Sequence, residues 1–405
     1  MQNVLIEKPY EFVPRIKTAW PQSLYCRLGL FRKKIRKLQG VVDYELRNVD
    51  RLRKSIDQGH GILLTPNHPR TADPMVMCYL AQQTPCNFYA MASWHLFNQG
   101  WFNRWVIRLM GAFSVNREGL DRKAVDEAIE ILQTAERPLL IFPEGATSRT
   151  NDRLMSLMEG PAFIARTAAK RRAKANGGKV VVHPIGIKYL YQGDIKSTCE
   201  RILSRLESEC LNWRPSSDLP LIDRLIKVGD GLLTMKELQF GIKNPTGTHR
   251  QRQDAMVNRL LEPLEEQWLG SKQDNGIVIR IKNLRMKIFP EMTHNRLEVA
   301  ERKRRWQQLE DTYLAQQIDC YPENYVVSNP TVDRVLETIE KFEEDMTDSC
   351  TIHGDLKVVL DVDDAIEVSP QRVRGVDEDP LITQIRERLE AMLGQLQNES
   401  KPFEA

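Results

Sequence analysis

The sequence lacks long apolar runs. No stretch comes near the roughly 18 uninterrupted apolar residues that suggest a membrane-spanning helix. The N-terminus also lacks the charged and then apolar pattern of a secretory signal. These absences predict a cytoplasmic protein that neither spans a membrane nor leaves the cell by the secretory route.

Cysteine is scarce and scattered. The seven cysteines are odd in number and form no Cys-x-x-Cys pair. This pattern predicts free thiols in a reducing compartment and excludes a disulfide framework or a zinc site. The seven histidines do not cluster with cysteines or acidic residues at the spacing of metal ligands. We therefore predict no metal.

A strong excess of charge is missing as well. The formal net charge is +3, with basic residues concentrated near the N-terminus and acidic residues in the last third. No module that interleaves aromatic and basic residues accompanies this balance, so it argues against a nucleic-acid partner. The length of 405 residues allows a large core and suggests roughly two or three domains.

What the sequence does contain is a histidine placed to meet a carboxylate. Residues 61–65 predict a buried strand, residues 66–72 a turn, and residues 74–82 a helix with Asp73 as its N-cap. In such a turn the Asp73 carboxylate can reach one imidazole nitrogen of His68. The other nitrogen is then free to take a proton from a substrate hydroxyl.

Three further segments accompany this pair. One apolar segment ends at Arg117, and a predicted strand stops at Pro143-Glu144-Gly145. A third segment, residues 179–187, is a strand interrupted by a proline. In this order and spacing, the four blocks resemble the glycerolipid acyltransferases, the family of 1-acylglycerol-3-phosphate acyltransferase. The resemblance covers residues 55–192.

The resemblance implies transfer of a fatty acyl group from a thioester of coenzyme A or acyl carrier protein to a glycerolipid hydroxyl. It implies no cofactor beyond that co-substrate. By motif, His68 would be the general base and Asp73 its orienting partner. Arg117 would bind the phosphate of the acceptor, and Glu144 and Gly145 would belong to the acceptor pocket.

The chemistry agrees with these assignments. A thioester is already activated, so the enzyme needs no serine or cysteine nucleophile of its own. It must deprotonate an alcohol, stabilise an oxyanion and hold two reactants together. Arginine suits an acceptor phosphate because its planar fork matches two phosphate oxygens at once.

The match departs from the family in one place. The family continues Pro-Glu-Gly with Thr-Arg-Ser, whereas this chain has Ala146-Thr147-Ser148-Arg149. The cation next to Gly145 is missing, and Arg149 is its candidate replacement. The resemblance implies a lysophospholipid acceptor, 1-acylglycerol-3-phosphate first. Because of this departure, glycerol 3-phosphate and another lysolipid remain alternatives.

Each of these residues also has a simpler interpretation. His68 could cap a tight turn without chemistry, and Glu144 could cap the segment that follows it. Arg117 could be an ordinary cation at a strand end. Arg70, beside His68 in the turn, and Arg149 could equally be solvent-exposed arginines that bind no phosphate. A less favoured alternative is a non-catalytic lipid-surface adaptor.

Two stretches predict peripheral binding to a membrane surface of anionic lipids. In residues 24–38, apolar side chains recur at helical spacing while arginines and lysines crowd the remainder, which is typical of a basic amphipathic helix. Residues 94–108 carry an aromatic stripe that fits either core packing or interfacial anchoring. The apolar positions are Leu24, Leu28, Phe31, Ile35, Leu38, Trp94, Phe97, Trp101 and Trp105.

Strand and helix patterns alternate in the first half of the chain. Such alternation predicts an α/β fold with a mostly parallel sheet flanked by helices. The functional residues follow strand ends, as expected for binding at one edge of such a sheet. The predicted strands are 61–65, 87–92, 111–115, 138–142 and 179–190, and the predicted helices are 74–82, 95–109, 121–136 and 159–175.

The second half predicts a helical insertion. From about residue 195 the patterns are helical, with residues 277–281 as the one candidate strand, until a strand at 356–362 and a helix at 380–396. A separate C-terminal α+β domain is the alternative. The predicted division is 1–54 (basic helical region), 55–194 (catalytic core), 195–350 (insertion), 351–397 (catalytic domain resumed) and 398–405 (frayed tail).

Overall fold

A computed structural model describes residues 5–175, 177–294, 297–349, 351–371, 375 and 378–404. Its strands are β1 (Val41–Arg47), β2 (Gly61–Pro66), β3 (Tyr89–Ser93), β4 (Ala112–Val115), β5 (Leu139–Leu140), β6 (Val180–Tyr191), β7 (Leu356–Val362) and β8 (Ile366–Glu367). They form one eight-stranded sheet in the order β1-β7-β6-β2-β5-β3-β4, with β8 pairing with β6.

The helices that surround this sheet fall into three groups along the chain. Helices α1 (Trp20–Arg27), α2 (Leu30–Gln39), α3 (Val49–Asp57), α4 (Asp73–Gln82), α5 (Trp101–Leu109), α6 (Arg122–Thr134) and α7 (Gly160–Lys174) precede or connect the first six strands. Between β6 and β7 lie α8 (Ile195–Arg205), α9 (Leu221–Gln239), α10 (His249–Leu269), α11 (Ile277–Ile288), α12 (Pro290–His294), α13 (Val299–Asp319) and α14 (Val332–Thr347). Helix α15 (Pro380–Leu396) follows the last strand.

The sheet is mostly parallel. Neighbouring strands run parallel except where β6 meets β7 and β8. Helices pack on both of its faces. The predicted α/β class is therefore confirmed.

The central strand β2 shows how the sequence produces this burial. All its residues are buried. Ile62 and Leu64 pack on one face of the sheet with α4 and α14, whereas Leu63 packs on the other face with α6, α7 and α15. Successive residues of a strand point to opposite faces, so a continuous apolar run suits a strand that is covered on both sides.

Among the described residues, every named secondary-structure element between β6 and β7 is a helix. Helices α8 and α14 pack onto the sheet. Helices α10, α11 and α13 instead pack around a core of their own, formed by side chains such as Leu261, Leu284 and Leu309. The strand β7 then returns to the sheet between β1 and β6.

The predicted strand at 277–281 is wrong, because these residues begin α11. The apolar run that suggested a strand continues as Ile281, Leu284 and Ile288, all of them buried. These positions recur every three or four residues and therefore share one helical face. A short apolar run by itself does not distinguish a strand from a buried helix.

Residues 1–54 are not helical throughout. Strand β1 lies at the edge of the sheet, parallel to β7, and so begins the sheet before the predicted core boundary at residue 55. Most of its side chains are exposed or half-buried. An edge strand of this kind carries polar residues, and the apolar pattern that marks a buried strand is absent from it.

Two predicted helices are interrupted by glycines. The helix predicted over residues 24–38 breaks at Gly29, and the one over residues 95–109 is a short 3-10 helix followed, after Gly100, by α5. Both glycines have a positive φ, 62° and 98°, which side chains with a Cβ rarely adopt. Among the described residues, no helix has the length and apolar character to cross a bilayer.

The last residues are not frayed. Phe403 is 7% exposed, and its backbone N–H donates to the Pro330 carbonyl at 2.9 Å. The Val332 N–H donates to the Lys401 carbonyl, also at 2.9 Å. The predicted tail therefore docks against the beginning of α14 as far as it is described.

Candidate active site

The turn after β2 brings His68 and Asp73 together. The imidazole Nδ1 lies 2.7 Å from the Asp73 Oδ2, so Nδ1–H donates to the carboxylate and Nε2 is the basic nitrogen. No described residue hydrogen-bonds Nε2, and the His68 side chain is 16% exposed. The imidazole also stacks on the ring of Phe142, with centroids 4.1 Å apart.

Asp73 lies one position further into the helix than predicted. Helix α4 begins at Asp73 itself, and Ala72 is the N-cap. The carboxylate is fully buried and accepts three hydrogen bonds. Beside His68, it accepts the Arg70 backbone N–H at 2.9 Å and the Tyr189 hydroxyl at 2.6 Å. A buried carboxylate held in this way keeps the imidazole in one orientation.

Tyr189 is a site residue that the sequence analysis missed. It lies on β6, is buried, and donates to the Asp73 Oδ1. Burial and the neighbouring Asp73 raise the pKa of its phenol well above the usual value, so the hydroxyl remains a donor. The guanidinium of Arg70 lies over its ring, 5.4 Å from the centroid. In the sequence this tyrosine is one residue of a strand pattern, without a local motif.

Glu144 lies behind the site and does not line the cavity. Its side chain is 0% exposed. Its Oε1 accepts the His68 backbone N–H at 2.6 Å and its Oε2 accepts the Met155 N–H at 2.8 Å. Burial raises the pKa of this carboxyl to about 7. The structure thus gives Glu144 a positioning role on the backbone of His68, where the resemblance implied a place in the acceptor pocket.

Gly145 and Arg117 meet at the edge of the cavity. The Arg117 guanidinium donates to the Gly145 carbonyl, and both residues line the cavity. Gly145 has a φ of 70°, and a Cβ there would lie 3.0 Å from the sulfur of Met158. Only glycine fits this turn without strain. Burial lowers the pKa of Arg117.

Arg149 and Arg70 are paired with acids of α14. The Arg149 Nη atoms lie 3.0 Å from Asp345 and 2.8 Å from Glu344. Arg70 lies 2.6 Å from Glu340. These contacts do not support the predicted phosphate-binding role of Arg149, because two carboxylates already neutralise its charge.

The site opens into a cavity of about 1840 Å³. His68 lies in its wall, and cations from the loop after β4 and from α11 line another part. Helices α2, α4 and α5 contribute a largely apolar part, formed by Phe31, Leu38, Met75, Met77, Cys78, Val106, Ile107 and Met110. A cavity with both characters suits an amphiphilic molecule with a charged head.

Part of the chain is similar to known proteins. Residues 44–188 match the family model described as Acyltransferase. Over 115 residues the chain is 32% identical to the 1-acyl-sn-glycerol-3-phosphate acyltransferase of Streptococcus pneumoniae, an alignment that covers 28% of this chain and 40% of that relative. The family match contains every site residue predicted from the sequence and ends before α8, where the helices between β6 and β7 begin.

Proposed function

We propose that this protein transfers a fatty acyl group from an acyl thioester to the hydroxyl of a lysophospholipid. The match of residues 44–188 to the Acyltransferase family model and the similarity to a 1-acyl-sn-glycerol-3-phosphate acyltransferase support this proposal. The proposed acceptor is 1-acylglycerol-3-phosphate, and the proposed donor is acyl coenzyme A or acyl-acyl carrier protein. The observation that carries the proposal is the contact of 2.7 Å between His68 and a fully buried Asp73 at the wall of a partly apolar cavity.

In the proposed reaction, Nε2 of His68 takes the proton of the acceptor hydroxyl. The hydroxyl oxygen attacks the thioester carbonyl carbon, the carbon–sulfur bond breaks, and the departing thiolate takes the proton back from the imidazolium. Asp73 stabilises the imidazolium between these steps. The cavity contributes by holding both reactants next to one another, which can supply several kcal/mol of the barrier reduction.

Exposed apolar surface beside the cavity supports a peripheral position on a membrane. On α5, Trp101 is 81% exposed, and Phe102 and Trp105 are exposed as well. Helices α1 and α2 and the turn between them carry exposed apolar side chains near the lysines and arginines of α2, namely Trp20, Leu24, Leu28, Leu30 and Leu38. Both α2 and α5 also line the cavity, so a lipid could enter it directly from the bilayer surface.

The test is thioester-dependent acylation by purified enzyme in lipid vesicles, with and without candidate acceptors. His68→Ala should abolish turnover, a loss of at least about 100-fold, because general-base catalysis typically contributes that much. His249→Ala, a half-exposed histidine of α10, is the matched control. Both variants should keep the circular dichroism and melting temperature of the parent.

The acceptor panel contains 1-acylglycerol-3-phosphate, glycerol 3-phosphate, a phosphate-free monoacylglycerol and lysophosphatidylcholine. Release of free thiol that needs an acceptor and depends on His68 supports the proposal. Near-normal turnover in His68→Ala would remove the proposed base. A parent enzyme that releases no thiol with any donor and acceptor pair would favour the non-catalytic adaptor.

A further inference from the structure

Three of the cations that line the cavity come from two distant parts of the chain. Arg117 comes from the loop after β4, whereas Lys282 and Arg285 come from α11, outside the matched acyltransferase region. Lys282 and Arg285 are three residues apart on a helix and therefore lie on the same side of it. The insertion thus forms one wall of the cavity that also contains His68.

The three cations differ from Arg70 and Arg149 in their partners. Within the described part of the chain, none of the three forms an ion pair with a carboxylate, in contrast to Arg70 and Arg149. The Arg285 Nε donates to the hydroxyl of Thr312 at 3.1 Å, and Arg117 donates to a backbone carbonyl. No described residue hydrogen-bonds the ammonium of Lys282.

The electrostatics of the cluster favour the binding of an anion. Burial, and then the charge of Arg117, lower the pKa of Lys282 and lower that of Arg285 to about 10. The Glu118 carboxylate interacts electrostatically with Arg117 and Arg285, and burial raises the pKa of Glu118. Three cations and one acid leave an excess of positive charge in a partly buried place, which is costly unless an anion is bound there.

A phosphoryl group matches this excess. A phosphomonoester carries a charge of about −1.5 to −2 at neutral pH and three strong acceptor oxygens. Arginine forks and a lysine ammonium are the side chains that commonly bind such groups. Two of these three cations belong to the insertion, so the insertion is placed to recognise the same charged group as Arg117.

We propose that Lys282 and Arg285 of the helical insertion complete, together with Arg117, a binding site for a phosphoryl group of one of the two substrates. The insertion then contributes residues that bind a substrate, in addition to forming one wall of the cavity. The assignment to a substrate rests on the proposed function, whereas the anion site itself does not. The phosphoryl group belongs either to the acceptor lipid or to the coenzyme A or carrier-protein donor.

Lys282→Met is the informative variant, because it removes the charge of a half-buried side chain that makes no described hydrogen bond. Lys287→Met on the same helix, exposed and outside the cavity lining, is the matched control. The first experiment needs no turnover. Inorganic phosphate should raise the melting temperature of the parent and of Lys287→Met more than that of Lys282→Met, with sodium chloride of equal ionic strength as the reference.

The second experiment identifies the substrate. The acceptor in this experiment is 1-acylglycerol-3-phosphate. Lys282→Met should raise about tenfold the KM of whichever substrate, acceptor or donor, carries the bound phosphoryl group, as expected for loss of a hydrogen bond to a charged group. The kcat and the KM for a phosphate-free monoacylglycerol should stay unchanged. A raised acceptor KM assigns the site to the acceptor, and a raised KM for acyl coenzyme A or acyl carrier protein assigns it to the donor.

Two results would overturn the inference. One is equal stabilisation of the parent, Lys282→Met and Lys287→Met by phosphate. The other is an active enzyme in which Lys282→Met leaves the KM values of both substrates unchanged. If the parent transfers no acyl group, the proposed function fails, while the phosphate experiment still decides whether the anion site exists.

Discussion

At the scale of single residues, the site is a chain of contacts that orients one imidazole. Asp73 fixes the Nδ1 side of His68, and Tyr189 and the Arg70 backbone hold Asp73 in turn. Glu144 holds the backbone of His68 from the opposite side. Because every partner is buried or nearly so, small changes in these contacts should affect catalysis more than substrate binding.

The hydroxyl of Tyr189 offers a direct test of this positioning. We expect Tyr189→Phe to lower kcat about 10-fold with little change in KM, since one hydrogen bond to a buried carboxylate is worth about 1.5 to 3 kcal/mol. Steady-state kinetics over a range of pH would measure it.

Tyr191→Phe is the matched control, because this tyrosine is buried in the same strand but its hydroxyl contacts Thr198 and the His353 carbonyl. It should change stability without changing kcat. Equal effects of the two substitutions on kcat would show that the Tyr189 hydroxyl does not act through Asp73.

The Glu144 carboxyl predicts a pH dependence of stability. Its pKa in the folded protein, about 7, lies above the ordinary value of 4.5, so the folded state binds this proton more tightly than the unfolded state. The stabilisation is complete below pH 4.5 and is lost as the pH rises through 7. At about 1.4 kcal/mol for each pKa unit, the change amounts to about 3 kcal/mol.

Glu144→Gln cannot titrate and lacks this contribution. We therefore expect the free energy of unfolding of the parent, relative to that of Glu144→Gln, to fall between pH 4.5 and 7.5. Denaturant unfolding at several pH values would measure the difference. A difference that is constant over this range would contradict the raised pKa.

At the scale of elements, α14, the last helix between β6 and β7, contacts the turn that holds His68. Its acids bind Arg70 and Arg149, and Glu337 accepts the Asn151 backbone N–H at 3.0 Å. The local sequence of α14 shows an apolar face and an acidic face. It does not show that the acidic residues meet two arginines some 190 or more positions earlier in the chain.

Helix α5 carries the exposed aromatic residues of the proposed membrane surface. We expect the double variant Trp101→Ser/Trp105→Ser to bind anionic vesicles at least about 10-fold more weakly, because two large apolar side chains lose their burial in the interface. Co-sedimentation with vesicles would measure this affinity.

The control double variant is Met235→Ser/Leu238→Ser on α9, which changes two exposed apolar side chains outside the cavity lining. Its vesicle affinity should equal that of the parent. If both double variants bind as the parent does, α5 is not part of the membrane-binding surface.

At the scale of the whole molecule, the last part of the chain closes the structure around the insertion. Strand β7 pairs with both β1 and β6, and the final residues dock on the beginning of α14. The ends of the insertion are thus held by the sheet on one side and by the terminal segment on the other.

Phe403 is the apolar contact of this terminal segment. We expect Phe403→Ala to lower the free energy of unfolding by about 3 kcal/mol, as is typical when a buried aromatic side chain is removed. Denaturant unfolding would measure it, with the exposed Lys401→Ala as control. A loss below about 0.5 kcal/mol would mean that the terminal segment contributes no packing energy of its own.

The α/β class, the pairing of His68 with Asp73 and the helix at 380–396 could be predicted from the sequence alone. These features depend on local patterns, since apolar periodicity marks buried strands and helices and a short turn brings residues five positions apart into contact. Apolar periodicity does not predict β1, because most side chains of this strand are only partly buried. It is ambiguous at the beginning of α11, where the apolar run is short.

Which side chains share the cavity depends instead on the tertiary structure. It turned Glu144 away from the cavity, gave Arg149 two carboxylate partners, brought Tyr189 to Asp73 and placed Lys282 and Arg285 beside Arg117. The physical reason is that such contacts join residues far apart in the chain. Their meeting depends on how the sheet and the helices between β6 and β7 pack together, and no local pattern records that packing.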